Sequence, residues 1–147
     1  MDSSDIIAIL ALIVALAEII VTAYQSRNMN STNLQAMYFE EIFKDYMINK
    51  IPEAADNLHY DGELLSPGYR VLVDVIMDMV NECKYFAYAK HTFYSNLKVK
   101  CIALEDELIR MANTPCDTEQ ERKENIYHVH EEIVEIIKLI NDNYHKF

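Results

Sequence analysis

The sequence contains few of the residues that form tight turns or break helices. It has two glycines, Gly62 and Gly68, and three prolines among its 147 residues. An all-β domain needs a turn about every ten residues, and glycine and proline are prominent in such turns. Their scarcity argues against a sandwich or barrel and predicts an all-α fold of long helices with few loops.

Cysteine is also scarce. Cys83, Cys101 and Cys116 are odd in number and form no Cys-x-x-Cys pair, which argues against a disulfide framework or a zinc site. We therefore expect three reduced thiols in or near a helical core, and no metal or other cofactor.

Basic residues are outnumbered by acidic ones, and the net charge is −11. Without Asp2, Asp5 and Glu18, the remaining 21 acidic and 13 basic residues still leave a net charge of −8. An acidic surface repels a phosphate backbone, so the composition argues against direct nucleic-acid binding.

The N-terminal region carries a long apolar run, IIAILALIVALAEIIVTAY, from Ile6 to Tyr24. At ~1.5 Å per residue its 19 residues cover about the thickness of the hydrocarbon layer of a bilayer. The run predicts one transmembrane helix within residues 1–25, followed by a helical domain at residues 26–147. The alternatives are a cleaved signal peptide, with Ala15-Leu16-Ala17 as the cleavage site, and a buried helix of a soluble protein. The acidic start MDSSD and the apolar residues after that site argue against cleavage.

The charges that flank this span predict its orientation. Asp2 and Asp5 precede the run and Arg27 follows it. The positive-inside rule then places the N-terminus outside and the helical domain in the cytoplasm of a single-pass protein of the bacterial inner membrane.

One face of the predicted span is small or polar. Its residues recur at alternating spacings of three and four, and they are Ala8, Ala11, Ala15, Glu18, Thr22 and Gln25. Small residues let helices approach closely in lipid, and a carboxylate facing lipid costs several kcal/mol. We call these six residues the span stripe and expect it to form a homo-oligomer interface, either a dry helix contact or the lining of a wet pore.

The sequence after the span predicts a bundle of about four helices. The first runs to about Lys50 and ends at Pro52, and the second begins at Ser66-Pro67 with serine as the N-cap. The second helix either breaks near Ser95-Asn96 or continues through the third apolar stripe as one long helix. The third apolar stripe ends at Thr114-Pro115. The predicted core stripes are Leu34, Met37, Tyr38, Ile42 and Tyr46; Leu72, Ile76, Met79, Cys83 and Phe86; Leu97, Cys101, Leu104, Leu108 and Ala112; and Ile126, Val129, Ile133, Ile137 and Ile140.

Three local patterns complete the prediction. Asp61-Gly62 marks a tight turn. Thr118 and Glu121 form a capping box at the start of the last helix. The aromatic run between Tyr85 and Tyr94 suits packing at a helix junction, although such rings also stack on bases.

The last helix carries a short motif with chemical content. Arg122 is followed by a polar residue, four further residues and His128. The pattern resembles the Arg-[polar]-x(4–6)-His signature of HEPN-superfamily ribonucleases. The resemblance implies a catalytic pair across a dimer, in which the histidine moves a proton of the RNA 2′-hydroxyl and the arginine stabilises phosphate charge. His130 is closer in angle to Arg122 around a helix and is a rival partner.

The whole layout resembles the small HEPN-like membrane accessory proteins of type VI-B CRISPR systems. That resemblance rests on the single span, the acidic helical domain, Arg122 and His128. It implies a ring-shaped pore that permeabilises the membrane and strengthens defence by an RNA-guided RNase, which is then a candidate partner. In this interpretation the chain is not an enzyme, and Arg122 and His128 are structural or gating residues. The alternatives are a membrane-tethered HEPN ribonuclease or toxin acting as a dimer, and a non-enzymatic membrane adaptor.

Overall fold

The computed structural model describes residues 18–23, 25–26 and 36–144. The chain divides into two units, Met1–Met37 with Phe147, and Tyr38–Lys146. In the first unit, residues 18–23 and 25–26 are helical. Within the described ranges, no helix has both the length and the hydropathy needed to cross a membrane. Most of the predicted span, residues 6–17 and Tyr24, lies outside those ranges, so the transmembrane helix stays a prediction.

The larger unit is helical, which confirms the all-α prediction. Helix α1 covers residues 36–45 and passes through a π-helical turn, Tyr46–Lys50, into α2 (Ile51–Asp56). Two strands, β1 (Tyr60–Asp61) and β2 (Leu64–Leu65), form an antiparallel hairpin. Helix α3 (Tyr69–Glu82) then leads through a 3-10 turn, Cys83–Tyr85, into α4 (Phe86–Ala89). The long helices α5 (His91–Asn113) and α6 (Glu119–Tyr144) follow.

Helix α5 is the centre of this unit, because it packs against both α3 and α6 and also contacts β2. Its buried stripe includes Leu97, Cys101, Leu104 and Leu108, as predicted from their spacing. Residue Ala112 is only partly buried, and Met111 is buried in its place. The three cysteines are free thiols in buried positions, as expected.

Four phenylalanines join α1 to α4 and α5 in one aromatic core. Phe39 and Phe43 of α1 meet Phe86 and Phe93, with ring centroids between 4.6 and 6.0 Å apart. All four are buried, and each contributes roughly 1.5–3 kcal/mol through burial of its ring. The packing interpretation of the aromatic run is confirmed for Phe86 and Phe93. Phe39 and Phe43 were not among the predicted core residues.

The first predicted helix does not end at Pro52. The amide of Ile51 donates to the carbonyl of Tyr46 across the π turn, and Pro52 lies in the first turn of α2. Proline lacks an amide hydrogen and crowds the carbonyl four residues earlier. The wider π turn relieves that crowding, so the chain continues as a helix. Of the predicted stripe, Ile42 and Tyr46 are buried, Tyr38 is about one-third exposed and Leu34 lies outside the described residues. Met37 was also predicted to be in the core, but it is largely exposed.

The helix boundaries in the middle of the chain also differ from the prediction. Ser66-Pro67 forms a turn, and α3 begins at Tyr69 with Gly68 as its N-cap and no side-chain cap. Both alternatives predicted for this region are wrong: Ser95 and Asn96 lie inside α5, and the chain does not continue from α3 as one long helix. The breaks come earlier, at the 3-10 turn and at Lys90, whose backbone leaves the helical region (φ −143°, ψ 61°).

The ends of the last two long helices follow the prediction. Helix α5 stops at Asn113, directly before Thr114-Pro115. The Glu121 amide donates to Thr118 Oγ1 at 3.2 Å, which confirms Thr118 as the cap of α6. The buried face of α6 contains Val129, Ile133 and Ile140 as predicted, together with Ile136. The other two predicted positions, Ile126 and Ile137, are half-buried.

Candidate functional site

The start of α6 is held by polar contacts that involve the loop directly before it and the β1–β2 hairpin, which is distant in the sequence. The amide of Cys116 donates to the carbonyl of Glu63 at 2.8 Å, which ties the α5–α6 loop to the hairpin. Asn125 Nδ2 donates to the hydroxyl of Tyr60 at 3.0 Å. Gly62 takes a positive φ of 69° in the tight hairpin turn that Asp61-Gly62 predicts. The hairpin, the loop and the first turns of α6 therefore form one connected region.

Arg122 is part of this connected region. Its Nε donates to the carbonyl of Cys116 at 3.0 Å, and one terminal nitrogen donates to the carbonyl of Asp117 at 3.2 Å. A guanidinium is a rigid fork of donors, so two neighbouring carbonyls fix both its position and its direction. In this arrangement Arg122 stabilises the loop that leads into α6.

His128 lies elsewhere on the same helix. Its ring Nδ1 is 4.0 Å from Glu131 Oε2, and both side chains are more than half exposed. Six residues at ~100° each place the side chains of Arg122 and His128 about 120° apart around α6. The two residues of the motif are thus not brought together within one protomer. Pairing across two protomers stays a prediction.

His130, the rival, does share a surface with Arg122. An open groove of about 530 Å³ runs between residues 58–60 and the first half of α6. Its floor includes the apolar side chains of Leu58 and Ile126. Its polar and aromatic lining, which defines what we call the α6 groove, is His59, Tyr60, Glu119, Arg122, Lys123, Tyr127 and His130.

The ring of His59 is held at the edge of the groove by two polar contacts. Its Nδ1 is 3.0 Å from the carbonyl oxygen of Asn57 and 3.4 Å from Ser66 Oγ. A carbonyl only accepts, so Nδ1 carries the hydrogen and the lone pair of the neutral ring resides on Nε2. Gly68 makes this arrangement possible, because a Cβ there would lie 2.8 Å from the Asn57 carbonyl oxygen.

The electrostatics of the groove differ from those of the domain as a whole. Lys123 pairs with Glu119 at 2.6 Å, and both side chains are more than two-thirds exposed. The ammonium group of Lys123 lowers the pKa of Glu119, mainly through their hydrogen bond. Burial raises the pKa of Tyr60, so its hydroxyl stays neutral. The groove therefore contains an arginine, a lysine and two histidines beside a single carboxylate, although the unit as a whole is acidic.

The span stripe is described only in part. Glu18, Thr22 and Gln25 lie in the helical residues of the first unit and are exposed. Their spacings of four and three put them on one face of that helix. Ala8, Ala11 and Ala15 lie outside the described residues.

Sequence reasoning missed His59, Tyr60 and Lys123 as groove residues. His59 lies in a short loop and Tyr60 in the two-residue strand β1, too short to show periodicity, and only the folded chain brings them to residues of α6 more than 60 positions later. Lys123, Tyr127 and His130 are spaced at i, i+4 and i+7, which places all three on one face of a helix. This spacing is the sequence signal that could have identified Lys123 and Tyr127. Among residues 36–144 and the helical part of the first unit, no three metal-binding side chains are placed to hold an ion together.

The chain was compared with known proteins in three ways. No family model, no curated protein and no solved structure matches it.

Proposed function

We propose that this chain is a single-pass membrane protein that assembles through its span and permeabilises the bacterial inner membrane as an accessory of RNA-guided antiphage defence. The observation that carries the proposal is the uncharged run from Ile6 to Ala17 and its continuation to Tyr24, interrupted only by Glu18. A run of this length and hydropathy suits the hydrocarbon layer of a bilayer.

The described end of this run supports membrane insertion. Ile19, Ile20 and Val21 are each more than half exposed. Three successive residues of a helix point in three directions, ~100° apart. Apolar side chains exposed over more than half of the circumference of a helix need lipid or partner helices to cover them.

The span stripe supports assembly of several copies. Glu18 and Thr22 share a face with the predicted alanines, and a carboxylate at that depth is tolerated against another helix or beside water. A ring of such helices would carry a ring of Glu18 carboxylates, which favours cations. Leakage of cations through it would depolarise the membrane of an infected cell.

The contacts of Arg122 favour a non-enzymatic role for the helical domain. A catalytic arginine must direct its donors at the reacting phosphate, but two of the donors of Arg122 are used by the carbonyls of Cys116 and Asp117. His128 is exposed beside Glu131, in an acidic unit that does not attract RNA. In the proposal both residues serve the structure or a subunit contact.

Reconstitution tests this function directly. The purified full chain should form a detergent-stable oligomer and release cations from liposomes. Ala11→Leu or Ala15→Leu adds bulk where helices touch, so each should abolish the oligomer and the leakage while the helical domain stays folded. Leu12→Ala, on the lipid face, is the matched control and should change neither property.

Two results would overturn the proposal. The first is that the wild-type chain releases no cations from liposomes, or that Ala11→Leu and Ala15→Leu leave the release unchanged. The second is robust RNA cleavage by the purified chain that His128→Ala removes, since this would favour the membrane-tethered ribonuclease.

A further inference from the structure

In the α6 groove, several basic side chains gather around a concave surface. Three of them, Arg122, Lys123 and His130, come from the first three turns of α6, and His59 comes from the opposite wall. The domain after the span has a net charge of −8, so the basic groove differs from the rest of its surface, which is acidic on average.

The two walls of the groove offer different hydrogen-bonding groups with a defined direction. The hydrogen bond of His59 Nδ1 to the Asn57 carbonyl oxygen fixes the ring and leaves the Nε2 lone pair as an acceptor for a ligand hydrogen. The carbonyl bonds of Arg122 hold its guanidinium, which has five N–H donors and uses two of them there. These two side chains are therefore oriented before any ligand binds.

Lys123 and His130 supply the remaining donors. Lys123 is bound to Glu119 in an exposed ion pair, and such pairs contribute little in water, so an anion of higher charge can replace the carboxylate. His130 is on the same face of α6, two turns further along. The amino-terminal end of α6 adds the positive end of a helix dipole on the same side of the groove.

From these observations we propose that the α6 groove binds a phosphate group, as a phosphomonoester or inorganic phosphate. The phosphate oxygens accept hydrogen bonds from Arg122 and Lys123, and the P–O–H of a monoprotonated phosphate donates to the Nε2 lone pair of His59. The apolar floor of Leu58 and Ile126 and the exposed ring of Tyr127 accommodate the organic part of a phosphomonoester. The proposal concerns non-covalent binding, and it does not depend on the span or on a pore.

The test uses the full chain in zwitterionic micelles, with inorganic phosphate as the probe. The carbon-bound ring protons of the histidines are followed by NMR while phosphate replaces chloride at constant ionic strength. We expect saturable shifts for His59 and His130. His128 lies about 160° around the helix from His130, so its signal should follow the chloride control.

Matched lysine variants test whether the groove provides the affinity. Lys123→Gln should weaken phosphate binding roughly tenfold, because a charge-assisted hydrogen bond is lost. Lys138→Gln is the control: Lys138 is also exposed and paired with a glutamate of α6, at 2.9 Å, but lies outside the groove. It should change the affinity by less than about twofold. Unchanged far-UV circular dichroism would show that both variants are folded.

A second arm distinguishes the source of the phosphate. The full chain is reconstituted in phosphatidylcholine vesicles with and without phosphatidic acid. Shifts of His59 and His130 that need phosphatidic acid identify a lipid headgroup, and shifts that need only inorganic phosphate identify a soluble ligand. The proposal is overturned if neither probe gives a saturable shift, or if Lys138→Gln weakens binding as much as Lys123→Gln does.

Discussion

Replacing Arg122 by alanine separates a structural role from a catalytic one. The substitution removes the hydrogen bonds to the carbonyls of Cys116 and Asp117, at 3.0 and 3.2 Å. A hydrogen bond from a charged donor contributes about 1.5–3 kcal/mol when buried. Arg122 is half-exposed and water can solvate the two carbonyls after the change, so we expect a combined loss of about 2 kcal/mol from the free energy of unfolding.

Thermal and urea unfolding of the full chain in detergent, followed by circular dichroism, measure this loss. For a helical unit of this size, a loss of about 2 kcal/mol lowers Tm by roughly 8 °C. Arg122→Lys keeps the charge but not the planar fork, so it should recover only part of the loss. His128→Ala is the control, because that exposed ring contributes less than about 0.5 kcal/mol through its distant contact with Glu131. Equal stability of Arg122→Ala and His128→Ala would refute the structural role.

Three further predictions follow from the described unit and its flanks. Burial raises the pKa of both Cys83 and Cys101 to about 12 from an ordinary value of 9.0, so neither should react with iodoacetamide at neutral pH until urea unfolds the chain. The contribution of these neutral thiols to stability is complete below about pH 9 and decreases as the pH rises to about 12. Urea unfolding across that pH range would reveal the decrease. Gly68→Ala should lower the free energy of unfolding by roughly 1–3 kcal/mol, because its Cβ would meet the Asn57 carbonyl oxygen at 2.8 Å, and a stability equal to wild type would contradict that close approach. A reporter enzyme fused to the C-terminus should be active only in its cytoplasmic form, and a periplasmic reporter signal would contradict the orientation.

The parts of the fold that are set by local sequence were predictable. The periodic apolar residues of α5 and α6 identify their buried faces, since a helix repeats every 3.6 residues. Thr118 and Thr114-Pro115 mark helix ends because capping and proline chemistry act within one turn. Ile136 is buried where Ile137 was expected, a shift of one position that periodicity alone does not resolve.

Other parts depend on contacts that no local pattern reveals. Pro52 looks like a helix end, but the π turn before it lets the helix continue. Lys90 interrupts the chain without any proline or glycine, at a point where Phe86 and Phe93 pack into the same aromatic core. The α6 groove was not predictable because His59 reaches it through the hairpin, and a contact between a loop and a distant helix leaves no periodic trace.

Membrane anchoring by residues 1–25 is the central claim, and alkaline carbonate extraction of cell membranes tests it most directly. The full chain should stay in the membrane pellet at high pH, because a spanning helix is not released by charge or solvent, whereas a chain that lacks residues 1–25 should move to the supernatant. Release of the full chain into the supernatant, or retention of the truncated chain in the pellet, would contradict the account.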